Sequence, residues 1–174
     1  METAMQLIKS EIDSPLGAIT LVTDADTVLV CEFADRDARV VRQLTQYYPE
    51  ATVVDGACPQ SIKATFDAYF AGDRDALLGL KTDPQGTAFE KRVWQDLKSI
   101  KAGLTDSYGG MAKRLNSSPR AVGRANGRNP IGLIHPCHRV IGADGSLTGY
   151  AGGLERKEWL LRHEKAILDL TGTM

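Results

Sequence analysis

Cysteine is scarce in this chain, aromatic side chains are few, histidine occurs only three times, and no apolar run is long. The three cysteines, Cys31, Cys58 and Cys137, are an odd number at wide spacings, which argues against a disulfide framework and fits a reducing compartment. No stretch approaches the roughly 20 apolar residues of a membrane-spanning helix. The opening residues 1–13 carry charge too early for a secretory signal, so the expectation is a cytoplasmic protein with no membrane partner. Internal repeats and low-complexity tracts are also missing, and 43% hydrophobic with 25% charged residues is the composition of an ordinary folded chain. A length of 174 residues suffices for one sizeable core or two smaller ones.

A more telling absence is local. Between Ser107 and Ala143 there is no acidic residue, while Lys113, Arg114, Arg120, Arg124, Arg128 and Arg139 all fall there. The net charge of −1 conceals this: residues 1–84 hold 7 Lys and Arg against 14 Asp and Glu, and residues 85–174 hold 14 against 8, leaving the halves at −7 and +6. Asymmetry of this kind points to a polyanionic partner for the basic half.

Turn residues and β-branched alternation predict strands over 7–13, 18–24 and 28–33, followed by helices over 37–48 and 59–70. The segment Leu80–Gly86 has the Pro and Gly punctuation of a linker, which divides the chain into domains 1–84 and 85–174. In the second domain the pattern gives a helix over 87–100, with Thr87 and Glu90 spaced as a capping box. Two short helices, 108–115 and 119–126, are joined by Asn116-Ser117-Ser118 in the manner of a helix-turn-helix. Arg120, Arg124 and Arg128 recur every four residues and share one helical face. A final helix is expected over 155–170, with Trp159, Leu160, His163 and Ile167 covering the unit.

Chemistry is concentrated in Pro136-Cys137-His138-Arg139-Val140. A thiol reacts as thiolate, and a neighbouring base with acid-free surroundings favours that form. A lone cysteine is more often a buried structural one; here the adjoining histidine and the basic flank favour a nucleophile. A zinc site from His135, Cys137 and His138 lacks the spaced ligand pairs of structural zinc. A thiol hydrolase with a base and an orienting carboxylate fits the residue types, and Glu164 beside His163 is one carboxylate to consider, although spacing alone reads it as a solvated helix charge. A plain helix-turn-helix regulator is a further reading, with Cys137 and His138 incidental. The arginine face tilts the choice towards phosphate binding, and a nucleophile inside a nucleic-acid module places its electrophile on the nucleic acid.

The run from Asn129-Pro130 through PCHRVIGADGSLTGYAGGLERKEWLLRHE closely resembles the signature of the O6-alkylguanine-DNA alkyltransferases, also called methylated-DNA–protein-cysteine methyltransferases. Similarity extends back through RAVGRANGRNP and SYGGMAKRL to FEKRVWQDL, covering about residues 86–167. The resemblance implies an α+β fold, with a ribonuclease-H-like N-terminal domain and a winged-helix-like C-terminal domain that binds the minor groove. It implies double-stranded DNA as partner and single-turnover transfer of the alkyl group from O6-methylguanine, and from O4-methylthymine, to Cys137, with the damaged base flipped out. No metal or cofactor is implied; the protein would be a monomer, with cooperative loading along DNA left open.

Carried over by position, Cys137 matches the acceptor, His138 the water-mediated base and Glu164 the carboxylate that orients it. Tyr108 matches the hydroxyl that assists the departing guanine, and Asn129 the hinge asparagine. Arg120 matches the arginine that fills the vacated stack, with Arg124 and Arg128 beside it on the DNA face. Backbone groups around Val140, Tyr150 and Ala151 match those that hold the guanine edge. Non-catalytic relatives of the family lack the cysteine, which this chain has at 137. The chain departs from the family pattern at Ala151, where serine is common; at His135, where an aliphatic residue is usual and which is expected to fill space; and between Tyr108 and Arg120, which is about two residues short. Gly110 replaces the usual glutamate, and glycine costs about 1 kcal/mol in a helix, so the first helix of the pair is expected to start late or fray.

Overall fold

A computed structural model describes residues 5–166 of the chain. It is a mixed α+β structure that divides into two compact units, one formed by residues 1–85 with 130–134 and the other by residues 86–129 with 135–174. The excursion of 130–134 is invisible to a division at the linker, because nothing in its local composition marks it as belonging to the first unit.

The first unit is built on β1 (Gln6–Ile12), β2 (Ile19–Asp24) and β3 (Thr27–Phe33), an antiparallel meander. Leu7, Val22, Leu29 and Val30 pack with Val40 of α1 (Asp37–Tyr47) into one core. Each such side chain removed from water contributes about 1.5–3 kcal/mol. Two strands escape the sequence pattern: β4 (Thr52–Asp55), parallel to β1, and β5 (Lys81–Thr82), parallel to β3 in the segment read as a linker. Both are short edge strands, giving the order β4-β1-β2-β3-β5. Helix α2 (Gln60–Phe70) lies between them in sequence and buries Ile62, Phe66 and Tyr69. Residues 130–134 join this unit through Cys31 N–H to the Pro130 carbonyl at 2.9 Å and Gly132 N–H to the Cys31 carbonyl at 3.0 Å.

In the second unit α3 (Ala88–Leu97) starts from the expected capping box. Its Val93, Trp94 and Leu97 pack with Met111 of α4 (Tyr108–Arg114), with Val122 and Ala125 of α5 (Pro119–Gly127), and with Cys137 and Val140. Trp94 Nε1 donates to the Ala125 carbonyl at 2.9 Å, tying α3 to α5. Ser118 caps α5, and Pro119 takes the first helical position, where its missing N–H is not needed. The parallel pair β6 (Asp106–Ser107) and β7 (Val140–Ile141) joins the start of α4 to the residues that follow Cys137.

Two expectations are corrected. Helix α4 begins at Tyr108, directly after Ser107, so Gly110 neither delays nor frays it. Helix α6 spans Leu154–His163 and does not continue towards 170; Ile167 lies outside the described residues. It stops because Lys165 turns to φ +62°. Lys165 N–H then bonds the Arg162 carbonyl at 2.9 Å and Ala166 N–H the Leu161 carbonyl at 2.8 Å, the paired bonds of a Schellman stop. Glu164 is thereby the cap residue, fully buried at the helix end.

Candidate active site

Cys137 opens a single 3-10 turn, Cys137–Arg139, and is 6% exposed. Two asparagines from the end of α5 fix this turn. Asn129 Nδ2 donates to the His135 carbonyl at 2.8 Å, and Asn126 Nδ2 to the Cys137 carbonyl at 3.4 Å. The same His135 carbonyl accepts Cys137 N–H at 2.7 Å. The structure thus brings Asn129, the residue matched to the hinge asparagine, to the start of this turn and adds Asn126, which sequence inspection passed over as an ordinary helix residue.

His138 and Glu164 are completely buried, with His138 Nε2 and Glu164 Oε2 2.8 Å apart. Burial pushes the Glu164 carboxyl up, but His138 and Arg139 outweigh it and hold the group well below the usual carboxylate range. An ionised acceptor at Nε2 assigns the ring proton to that nitrogen, which leaves the lone pair of the neutral ring on Nδ1. That atom is buried and has no protein hydrogen-bond partner among the described residues. Adjacent to it along the chain is Cys137.

Arg139, counted in the basic flank, is not available to a phosphate. It is 6% exposed and grips Glu164 through Nε at 2.8 Å and Nη2 at 3.1 Å, while Nη1 donates to the Ile100 carbonyl at 2.6 Å. Arg114 likewise pairs with Asp96 at 2.7 Å and Asp106 at 2.6 Å. Arg120 and Arg124 are exposed on α5; Arg128, also exposed, has Nη1 3.5 Å from Glu90. Acids outside the acid-free stretch therefore pair with three of its six basic residues.

Tyr108 is the first residue of α4, half-buried, and its hydroxyl donates to the Thr148 carbonyl at 3.1 Å. Burial raises its phenol above the ordinary value, with the Cys137 sulfur acting in the same direction, so it keeps its proton at neutral pH. Gly149 takes φ +56°, and a Cβ there would meet the Tyr108 hydroxyl at 3.5 Å. Tyr150 packs half-buried on the core, its ring 6.4 Å edge-on from His138, and Ala151 follows it. Val140 is fully buried.

Lys157 is a further residue beside the site that sequence reading missed. It is fully buried on α6, and its Nζ donates to the carbonyls of Val140 at 2.5 Å, Thr148 at 2.7 Å and Gly149 at 3.3 Å. One ammonium thus ties β7 to the loop before Tyr150. Burial pushes the amine down to about 8, opposed by the Cys137 sulfur. Within Glu155-Arg156-Lys157-Glu158 it is indistinguishable from a surface charge; its only signal is its place three residues before Leu160 on the apolar stripe. Among the described residues, no group of three or more His, Cys, Asp or Glu is placed to hold a metal ion, and no helix is long and apolar enough to cross a membrane.

A buried thiol, imidazole and carboxylate follow one another in chain order as Cys137, His138 and Glu164, the residue types of a cysteine-based group-transfer protein. The chain belongs to the methylated-DNA–protein-cysteine methyltransferase family. Residues 88–166 match the family described as the DNA-binding domain of 6-O-methylguanine DNA methyltransferase. A methylated-DNA–protein-cysteine methyltransferase of Shigella flexneri is 38% identical over 169 residues, 94% of this chain and 99% of that one. The Mycobacterium tuberculosis protein of that name is 42% identical over 164 residues, 92% and 94% of the two chains. Among solved structures, Mycobacterium tuberculosis OGT in complex with DNA has a TM-score of 0.76 at 39% identity, covering 91% of this chain and 93% of that one. The O6-methylguanine methyltransferase of the same organism gives 0.75 at 39% identity, covering 95% and 98%.

Proposed function

We propose that this chain repairs O6-alkylguanine in duplex DNA, and O4-methylthymine with it, by moving the alkyl group irreversibly to Cys137. The observation that carries the reading is the fully buried Glu164–His138 pair, 2.8 Å long, placed directly after the cysteine. His138 Nδ1 takes the thiol proton through a water molecule, and Glu164 holds the ring for that role. The sulfur forms a bond to the alkyl carbon as the bond from that carbon to O6 breaks. The electron pair passes into the purine, which takes a proton from the Tyr108 hydroxyl; the proton from the thiol then replaces it on tyrosine. Guanine is restored, and Cys137 becomes a thioether, which has no carbonyl for water to attack. Each chain therefore acts once.

In this reading the first unit is a ribonuclease-H-like domain and the second, winged-helix-like unit enters the minor groove with α4, its turn and α5. The division into domains 1–84 and 85–174 is retained, with 130–134 as an excursion into the first. Arg120, exposed at the start of α5, fills the space left by the flipped base, and Arg124 meets phosphate. Arg128 contributes less, because Glu90 competes for it. The loop carbonyls held by Lys157, with Val140, Tyr150 and Ala151, shape the guanine pocket. A monomer suffices for every step.

The test is to incubate the protein with a duplex containing O6-methylguanine, digest it and weigh the peptide bearing Cys137. Gain of one methyl group there, with guanine restored in the DNA, is expected. An unmodified peptide with the lesion still in place refutes the proposal. Cys137→Ser should still bind the lesion while transferring nothing, and Arg120→Ala should slow repair of duplex DNA.

A further inference from the structure

Two helices of the second unit open on related sequences but are capped differently. Helix α3 follows Thr87-Ala88-Phe89-Glu90: Thr87 Oγ1 accepts Glu90 N–H at 3.1 Å, and Glu90 Oε1 accepts Thr87 N–H at 2.8 Å. Helix α4 follows Ser107-Tyr108-Gly109-Gly110. Ser107 Oγ accepts Gly110 N–H at 2.9 Å, but glycine has no side chain to return the bond. Asp106, the residue before the cap, returns it instead: its Oδ1 accepts Ser107 N–H at 2.7 Å.

That carboxylate stands where the missing side chain would begin. A Cβ built on Gly110 would lie 2.6 Å from Asp106 Oδ1 and 3.2 Å from Ser107 Oγ. Glycine at 110 and aspartate at 106 are therefore one solution to one problem, since a Cβ at 110 requires the Asp106 carboxylate to leave its present place. The second oxygen of Asp106 sits 2.6 Å from Nη2 of Arg114, which also holds Asp96 of α3 at 2.7 Å. Asp106 is anchored in turn by its backbone, since it pairs with Val140 in the strand that follows the Cys137 turn.

The cap matters because α4 has only seven residues and carries two glycines in its first turn. A helix this short does not sustain itself, and glycine is the poorest ordinary helix former. A carboxylate at its start satisfies an orphan N–H and meets the positive end of the helix. Tyr108 is the first residue that the cap orders.

We propose that Asp106 is a positioning residue for alkyl transfer: by capping α4 from outside the helix it fixes the Tyr108 hydroxyl beside Cys137, and it forms with Gly110 a unit exchangeable for an alanine and glutamate pair. This rests on the repair reading above. No residue of the unit touches the reacting atoms.

The experiment uses the full chain, the O6-methylguanine duplex in excess, and the variants Asp106→Ala, Gly110→Glu, their combination, and Asp106→Asn. Saturating transfer rate, half-saturating DNA concentration and amide exchange at residues 109–111 are measured separately. Asp106→Ala should lower the saturating rate about fivefold, the scale of one lost cap, and speed exchange in the first turn. Gly110→Glu should do the same through collision of two carboxylates. The combined variant, with a complete Ser-x-x-Glu box, should recover to within about twofold of the unmodified chain on that cap scale, and Asp106→Asn should keep the rate because its Oδ1 still accepts the bond. A combined variant no better than the worse single one overturns the proposal; so do losses of thermal stability with an unchanged saturating rate. If the unmodified chain transfers nothing to Cys137, the repair reading fails. The capping unit is then judged on exchange alone, and unchanged exchange in Asp106→Ala refutes it.

Discussion

Replacing Glu164 by leucine removes a fully buried carboxylate that faces His138 Nε2 at 2.8 Å and accepts from Arg139 Nε at 2.8 Å and Nη2 at 3.1 Å. Arg139, itself 6% exposed, is left with the Ile100 carbonyl as its partner and a positive charge it cannot release. Stranding one member of a buried pair costs about 3–5 kcal/mol, a large share of the roughly 5–15 kcal/mol that holds a domain together. For a chain of this size each kcal/mol moves the thermal midpoint by about 2–4 °C, so Glu164→Leu should lower it by roughly 6–20 °C. Urea and thermal denaturation of Glu164→Leu, Arg139→Met and the combined variant measure this directly. Removing both charges should be milder than the sum of the separate losses by more than about 1 kcal/mol. Its pH dependence follows from the sign of the shift. Glu164 titrates below its ordinary 4.5, so its stabilisation is complete above about pH 4.5 and is lost as pH falls towards the lower folded value. A cost for Glu164→Leu below about 0.5 kcal/mol, the range of surface substitutions, or strict additivity in the combined variant, would refute the assignment of a buried charged cluster.

Burial, with Lys98 adding to it, holds the His135 imidazole down to about 3. The folded form therefore refuses a proton that the unfolded chain takes below about pH 6.5, and stability declines as pH falls from there towards 3, by about 4–5 kcal/mol in all. His135→Val should flatten that slope in denaturant midpoints collected across this range; an unaltered slope counts against the buried neutral ring. Lys157→Met frees three carbonyls and should slow saturating alkyl transfer at least about tenfold, as expected when a positioning contact is lost, with affinity for lesion-free duplex unchanged; an unchanged rate rules out a role in shaping the loop. Trp94→Phe deletes the bond to the Ala125 carbonyl and should cost about 1–3 kcal/mol in urea denaturation; a cost near zero shows that this bond does not tie α3 to α5.

Local patterns survived well into the structure. Thr87 and Glu90 form the capping box their spacing predicts, Pro119 takes the first helical position, and the strands expected over 7–13 and 28–33 lie within one residue of their observed bounds. The failures are long-range. The edge strands β4 and β5 are held by pairing with β1 and β3 rather than by their own composition. The acid-free stretch promised six cations for phosphate, yet Arg139, Arg114 and Arg128 meet Glu164, Asp96, Asp106 and Glu90 from other elements. Glu164 read as a solvated charge because the Schellman stop that turns it inward depends on Lys165 adopting a left-handed conformation, for which the sequence offers no glycine. Lys157 was passed over for the same reason: three carbonyls from two distant segments decide its burial.

The excursion of Pro130–Ile134 into the first unit means that a cut at residue 85 does not separate the two units cleanly. A fragment beginning at residue 86 would carry Ile131, Leu133 and Ile134, all buried, with no sheet to receive them. Those residues leave the second unit at Asn129 and return at His135, where the Asn129 side chain closes the neck at 2.8 Å. Cys137 stands two residues past that closure. One covalent segment therefore serves the fold of the first unit and, through its closed ends, adjoins the turn that carries the thiol.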